Sequence, residues 1–130
     1  MVNLEMITTT DKGRIAEAAV LFRLALVGLS PLRSVFEGDS YDWLVDNGDR
    51  VVKIQVKWAL RYRYGQPCVP LTTSKREGRY RYTPRDFDFL VGYELLSDEA
   101  HIFTWEDIGD NTSVVAFKPS TREAWHRIRA

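Results

Sequence analysis

The chain has 130 residues, of which 45% are hydrophobic and 28% are charged, and its formal net charge is zero. This length and composition are typical of one globular domain with a modest core, so we expect residues 1–130 to form a single domain. No segment approaches the roughly 18 apolar residues of a membrane helix, and no signal-peptide pattern opens the chain, so the expected location is cytoplasmic. A lone cysteine, Cys68, and two histidines argue against a disulfide framework and against a Cys/His zinc site.

The first predicted element is a helix from about Asp11 to Gly28. Asp11 is the expected N-cap, Gly28 is the expected C-terminal stop, and Pro31 prevents the helix from continuing. Apolar residues at helical spacing should form its buried face. These residues are Ile15, Ala19, Phe22 and Leu26.

Three short strands are predicted next, within LRSVFEG, SYDWLVD and RVVKIQVKW. Asn47-Gly48 between the last two predicts a tight hairpin, because both residues tolerate the positive φ that such a turn requires. A hairpin brings together the ends that lie far from its turn. Asp42, Gln55 and Lys57 should therefore meet at the open end, with Gln55 and Lys57 on the same face of their strand.

The segment at about 60–85 holds most of the positive charge. From Lys57 to Arg85 there are eight Lys or Arg residues and one acid, a net charge of +7, so the rest of the chain carries −7. The segment is rich in Gly, Pro and polar residues, which predicts an exposed excursion from the domain. A one-sided basic surface of this kind favours a nucleic-acid partner.

The motif RYRY occurs twice in this segment, at 61–64 and 79–82. If both copies are strands, arginines lie on one face and tyrosines on the other, and the two strands could pair as a β-ribbon along a DNA groove. A solvated hairpin with its tyrosines packed inward is the rival interpretation. The predicted DNA-binding residues are Arg61, Arg63, Lys75, Arg76, Arg79, Arg81 and Arg85.

The remaining predicted elements are strands within DFDFLVGYELL, AHIFTWEDI and SVVAFKP, followed by a C-terminal helix in STREAWHRIRA. Ser120 or Thr121 is the expected cap of that helix. The order of elements predicts an α/β sandwich with one mixed β-sheet and helices on its faces.

The hairpin end has the composition of a metal-assisted hydrolytic site. A carboxylate, a second oxygen ligand and a lysine can hold a divalent cation and a water beside a phosphodiester, and oxygen ligands suit magnesium or manganese. The rival interpretation is an ordinary amphipathic strand, since Lys53, Gln55 and Lys57 alternate with apolar residues. The residues alone leave both interpretations open.

Asp42, followed thirteen residues later by Gln55-Val56-Lys57, resembles the signature of the PD-(D/E)XK nuclease superfamily, with Gln in place of the usual second acid. SYD, IQVK, DFDF and REAWH together resemble the PD-(D/E)XK homing endonucleases encoded within group I introns, over about Lys12 to Ile128. The resemblance implies a restriction-endonuclease-like core. It also implies a Mg²⁺-dependent, site-specific DNA endonuclease that accepts Mn²⁺ and acts on double-stranded DNA as a homo-oligomer, either a dimer or a tetramer.

The resemblance also implies roles for single residues. Asp42 binds the metal, the side-chain oxygen of Gln55 and the carbonyl of Val56 complete its ligands, and Lys57 acts on the attacking water. Glu17 resembles the helix glutamate that archaeal Holliday junction resolvases direct at the metal, so a junction-specific nuclease is an alternative function. A catalytically inactive DNA-binding module is the alternative from another class, because an amide brings no negative charge to the metal.

Overall fold

The computed structural model describes residues 3–33, 35, 41–62 and 64–129. In chain order the elements are α1 (Thr9–Leu26), β1 (Pro31–Leu32), β2 (Trp43–Asp46), β3 (Val51–Trp58), β4 (Leu60–Tyr62), β5 (Gln66–Pro70), β6 (Thr72–Lys75), β7 (Gly78–Arg81), β8 (Phe89–Glu94), β9 (Glu99–Phe103), α2 (Trp105–Ile108) and β10 (Val114–Ala116). Single 3-10 turns occur at Leu4–Met6 and Trp125–Arg127. Within the described ranges, no helix has the length and apolar character needed to span a membrane.

The main sheet has five strands in the order β1-β2-β3-β8-β9. Strands β3 and β8 are parallel, and the other neighbours are antiparallel. The predicted hairpin is confirmed, because β2 and β3 pair with Trp43 opposite Ile54 and Asp46 opposite Val51. Its turn is longer than a two-residue Asn-Gly turn, since residues 47–50 separate the paired strands and Asn47 does not adopt positive φ. Gly48 in its turn has a φ of 92°, a conformation that favours glycine. The mixed α/β sheet predicted from the sequence is also confirmed.

Two apolar cores cover the two faces of this sheet. The first joins α1 to the sheet and to the C-terminal turn, and contains Ala16, Val20, Leu24, Ile54, Val56, Val91, Trp125 and Ile128 among others. The second joins the sheet to the smaller strands and α2, and contains Val69, Leu71, Tyr82, Phe87, Leu90, Phe103, Ile108 and Val115. Since side chains alternate along a strand, Ile54 and Val56 face α1 whereas Gln55 and Lys57 face the second layer.

The structure corrects the prediction for α1 in two respects. Its N-cap is Thr8, whose Oγ1 accepts a hydrogen bond from the Asp11 amide at 3.1 Å. The side chains facing the sheet are Ala16, Val20 and Leu24, whereas Phe22 and Leu26 are 62% and 68% exposed. The predicted Ile15 and Ala19 only border this core. Apolar residues occur on nearly every side of this helix, so their spacing alone could not identify the face that packs.

The segment at 60–85 is not an exposed excursion. It forms β4 to β7 and contributes Cys68, Val69, Leu71 and Tyr82 to the interior. The two RYRY copies do not pair with each other, because β4 pairs with β5 and β7 pairs with β6. The reason is the apolar run around Val69, which must be buried and places β5 between β4 and β10 against the main sheet.

The predicted C-terminal helix is also wrong, since only a 3-10 turn at Trp125–Arg127 forms. Thr121 does not cap a helix. Its hydroxyl donates to the Lys118 carbonyl at 2.9 Å and lies 2.8 Å from His101 Nδ1. The Glu123 amide donates to the Ala100 carbonyl at 2.8 Å. Because this backbone bonds to β9, the same groups cannot form helical hydrogen bonds.

We predict that Gly92→Ala destabilises the protein by about 1–3 kcal/mol, because overpacking of a filled interior costs this much. A Cβ at Gly92 would lie 2.5 Å from Val69 Cγ1 and 2.8 Å from Phe117 Cε1, where the two layers meet. Gly13→Ala is the control, since a Cβ there meets nothing within 4 Å and Ala favours a helix by about 1 kcal/mol over Gly. Urea unfolding of both variants measures the difference. Equal stability of the two variants would contradict the prediction.

Candidate active site

The open end of the β2–β3 hairpin brings together the first three candidate residues. Asp42 directly precedes β2, and its backbone amide donates to the Ile54 carbonyl at 2.8 Å. Asp42 Oδ2 accepts hydrogen bonds from the Val56 amide at 2.8 Å and from Gln55 Nε2 at 3.0 Å. Gln55 Nε2 also lies 3.2 Å from the Val56 carbonyl oxygen. The carboxylate, the amide and the main-chain carbonyl therefore converge on one small volume.

Lys57 lies beside this group, on the same face of β3 as Gln55. Its Nζ is 5.2 Å from the centroid of the Tyr82 ring, a cation–π distance. Tyr82 is only 3% exposed and packs edge-on against Phe87, with 5.2 Å between ring centroids. No acid forms an ion pair with Lys57 within the part of the chain that the structure describes. The ammonium group is thus supported by an aromatic ring, and no acid of the described residues neutralises it directly.

Glu17 approaches the same carboxylate from α1. Its charge raises the pKa of Asp42, which places the two acids within electrostatic range. Glu17 Oε1 also accepts a hydrogen bond from Arg33 Nη2 at 3.0 Å. The helix and the hairpin end therefore supply one carboxylate each, with an arginine at the helix side.

The environment of Asp42 destabilises the ionised form of its side chain. Burial raises the pKa of Asp42 to about 6, and repulsion by Glu17 acts in the same direction. The Val56 amide hydrogen bond and the charges of Lys57 and Arg33 lower it but do not offset burial. A bound divalent cation would relieve this unfavourable charge, because an opposite charge at the carboxylate favours its ionised form.

The donor set fits a hard cation. Among the described residues, no group of three or more His, Cys, Asp or Glu side chains is placed to hold a metal ion. Among these residues, the oxygens that could hold a cation at the hairpin end are the carboxylates of Asp42 and Glu17 and the neutral oxygens of Gln55 and Val56. Oxygen-only sets of this kind suit Mg²⁺ and Mn²⁺ better than zinc or copper.

The basic residues lie mainly on the β6–β7 ribbon and the turn after it. Arg79 and Arg81 are exposed while Tyr80 is half-buried and Tyr82 is buried, so the predicted alternation holds in this second RYRY copy. In the first copy Tyr64 is fully exposed, and Arg63 lies outside the described residues. The other exposed basic residues on this side are Lys75, Arg76 and Arg85.

Three of these basic side chains already donate hydrogen bonds to other described residues. One is Arg79, whose Nη1 donates to Ser74 Oγ at 3.1 Å. Arg61 Nη2 lies 2.8 Å from Glu94 Oε2, and its Nη1 donates to the Gly65 carbonyl at 2.8 Å. Arg81 Nη2 donates to the Asn111 carbonyl at 2.7 Å. Tyr82, whose ring lies beside Lys57, directly follows this ribbon in the chain.

Sequence reasoning missed Tyr82 and Arg33 as parts of the site. Tyr82 is the last residue of the second RYRY motif, but its position under Lys57 depends on the burial of β5. The sequence indicates an exposed excursion at β5, so it does not predict this contact. Arg33 carries no local motif. Its position follows from the pairing of β1 with β2, which sets it across from Trp43.

The sequence matches the family described as PD-(D/E)XK endonuclease over residues 7–130. The chain therefore belongs to the PD-(D/E)XK endonuclease family, as its motifs predicted. Its structure is similar to that of a bacterial homing endonuclease, I-Ssp6803I, with a TM-score of 0.79, 28% sequence identity and 93% of each chain covered. No functionally curated sequence gave a significant match.

Proposed function

We propose that this protein is a site-specific DNA endonuclease of the homing type, with residues 1–130 forming one catalytic domain. The observation that carries the proposal is the convergence of Asp42, Gln55 and Lys57 at one hairpin end in a chain of this family. The similarity to a homing endonuclease over 93% of both chains supports the homing type over other nucleases.

We assign the residues of the site as follows. Asp42, Glu17, the Gln55 side-chain oxygen and the Val56 carbonyl hold one Mg²⁺, and Mn²⁺ can replace it. When bound, the cation would supply Lewis-acid stabilisation of the phosphoryl oxygen and would make the attacking water more acidic. Lys57 Nζ donates a hydrogen bond to the attacking water and holds it for in-line attack. In the structure, Gln55 directs its Nε2 at Asp42 Oδ2 and at the Val56 carbonyl. To bind the metal, the side-chain amide rotates by half a turn, so that its oxygen takes the place of its nitrogen.

The enzyme acts as a homo-oligomer in this proposal. The described residues hold one such set of acids and lysine, and cutting both strands of a duplex requires two. Symmetric pairing of identical chains is the simplest way to supply the second site. Sedimentation analysis of the protein with and without target DNA distinguishes a monomer from a dimer or tetramer.

We predict that the Arg79→Ala, Arg81→Ala double variant binds DNA more weakly and with a flatter salt dependence. Each lost phosphate contact lowers the slope of log affinity against log salt by about 0.9. The control is Arg14→Ala with Arg122→Ala, which removes the same charge from exposed arginines outside the ribbon. Fluorescence anisotropy across a salt series gives both slopes. If the two double variants share the wild-type slope, the ribbon does not contact phosphates.

Cleavage of a randomised duplex library tests the function as a whole. The reactions contain Mg²⁺, Mn²⁺ or a chelator, a four-way junction is included as a second substrate, and Asp42→Asn is the inactive control. Cuts at one recurring sequence that need the metal and Asp42 support the proposal. Cuts confined to the junction indicate a resolvase, and salt-sensitive binding without any cut indicates an inactive DNA-binding module.

A further inference from the structure

Arg33 occupies a fixed place at the edge of the candidate site. It follows β1 directly, and the pairing of Leu32 with Leu44 sets it opposite Trp43. Its guanidinium carbon lies 4.5 Å from the centroid of the Trp43 ring, and its Nη2 lies 3.0 Å from Glu17 Oε1. A planar cation held by a ring on one side and by a carboxylate on the other has a defined orientation.

Arg33 and Lys57 approach the same carboxylate from different elements. The charges of both cations act on Asp42, Lys57 from β3 and Arg33 from the end of β1. The Trp43 ring that supports Arg33 belongs to the core on the α1 side, whereas the Tyr82 ring beside Lys57 belongs to the second core. The hairpin end is thus flanked by one cation on each side of the main sheet.

The guanidinium is accessible, and most of its N–H donors form no hydrogen bond to another described residue. The Arg33 side chain is 57% exposed, so a large substrate can reach it. A guanidinium carries five N–H donors in one plane, and the bond to Glu17 is the single hydrogen bond that Arg33 makes to another described residue. Two parallel donors of this kind match the oxygens of a phosphate group.

We infer that Arg33 is a further catalytic residue, which binds a non-bridging oxygen of the phosphate that is cut. There it stabilises the negative charge that builds up on the phosphoryl group as water attacks. The kinetic part of this inference rests on the proposed endonuclease function, whereas the phosphate contact is a property of the folded chain. The competing role is a purely structural ion pair that ties α1 to β1.

A matched control exists on the same sheet. Arg50 is 58% exposed and, among the described residues, has one carboxylate partner, Asp88, at 3.3 Å, so it resembles Arg33 in exposure and pairing. It lies near the turn of the β2–β3 hairpin and away from the open end. The comparison of Arg33→Ala with Arg50→Ala therefore removes equivalent charges at the candidate site and away from it.

The first test measures the contact without any cleavage. The ¹⁵N-labelled arginine Nε–Hε signals are followed by NMR while inorganic phosphate is added to the metal-free protein and to its Glu17→Gln variant, which lacks the competing carboxylate. We expect the Arg33 signal, assigned by its loss in Arg33→Lys, to shift saturably, more strongly in Glu17→Gln, while the Arg50 signal stays in place. An Arg33 signal that does not move in either protein overturns the inference.

The second test measures single-turnover cleavage at saturating DNA. Removing one donor that stabilises transition-state charge costs roughly 10²–10³ in rate, so Arg33→Ala should lose that much, Arg33→Lys should recover part of it and Arg50→Ala should match the wild type. Thermal unfolding midpoints of all three should be similar. Equal rates for Arg33→Ala and Arg50→Ala overturn the catalytic role. A wild-type protein that cuts nothing refutes the endonuclease proposal instead, and the phosphate titration still decides whether Arg33 binds a phosphate.

Discussion

Cleavage should fall by roughly 10³-fold or more when Lys57 is replaced by methionine. Loss of a group that transfers a proton or stabilises charge in the transition state typically costs this much. Methionine keeps an unbranched stem over the Tyr82 ring but has no ammonium group to hold the attacking water. Fold and DNA affinity should change little, because Lys57 forms no ion pair with any acid in the described part of the chain. Single-turnover cleavage and equilibrium binding, measured on the same preparations, separate these two effects.

Lys53→Met is the matched control for this prediction. Lys53 lies on the same strand and the same face as Lys57, but its Nζ donates to the Arg85 carbonyl at 3.2 Å and lies 5.6 Å from the Tyr41 ring. We expect its loss to leave cleavage close to that of the wild type. If Lys57→Met cuts as fast as Lys53→Met, Lys57 has no part in the chemistry and the polar-strand interpretation is correct.

Asp42→Asn should abolish metal-dependent cleavage and, in the metal-free protein, increase the stability of the fold. The pKa of Asp42 is raised from 3.8 to about 6, so the folded state holds a proton that the unfolded state has lost between these two pH values. Above about pH 6 the buried charge therefore destabilises the fold, and each pKa unit corresponds to about 1.4 kcal/mol. We expect asparagine to raise the free energy of unfolding by about 1–3 kcal/mol at pH 8.

The gain should shrink as the pH falls from about 6 towards 3.8, because the wild-type carboxyl group becomes neutral in the folded state. Urea unfolding at several pH values, in the presence of a chelator, measures this dependence. Asp46→Asn is the control, since Asp46 belongs to the same hairpin but is exposed and accepts a hydrogen bond from the Gly48 amide at 2.9 Å. Equal gains at both positions, or a gain that persists at pH 4, would contradict a buried charge at Asp42.

Added Mg²⁺ provides an independent readout of the same site. A ligand that binds only the folded state stabilises it in proportion to the logarithm of its concentration above the dissociation constant. The wild-type melting temperature should therefore rise with Mg²⁺, and that of Asp42→Asn should not. A rise of equal size in both proteins would place the cation elsewhere.

The parts of the fold that short-range rules determine were predictable. Asn47-Gly48 set the turn, the period of two set the faces of β3, and together they brought Asp42 next to Gln55 and Val56. The family followed from these residues and was confirmed. The site roles drawn from the resemblance, including that of Glu17, remain predictions, although Glu17 does lie within electrostatic range of Asp42.

The errors came from competition between segments that are distant in sequence. Strand β5 was not predicted because polar residues, Gly and Pro surround Val69 in the sequence, yet its apolar residues pack on the main sheet. The predicted C-terminal helix does not form because the Glu123 amide bonds to β9 instead. No local sequence pattern indicates this long-range hydrogen bond. The position of Arg33 is set by β1, a strand of only two residues. A strand this short is determined by the strand it pairs with and not by its own sequence.

The junction between β7 and Tyr82 constrains how such an enzyme can evolve. Under the proposed function, we expect a change of DNA target to require changes in the exposed side chains of the β6–β7 ribbon, which face solvent. Position 82 cannot follow them, because its ring packs in the interior and beside Lys57. We therefore expect substitutions that change the DNA target at exposed ribbon positions as far as Arg81. At position 82, by contrast, we expect an aromatic residue to be retained, because cleavage depends on Lys57.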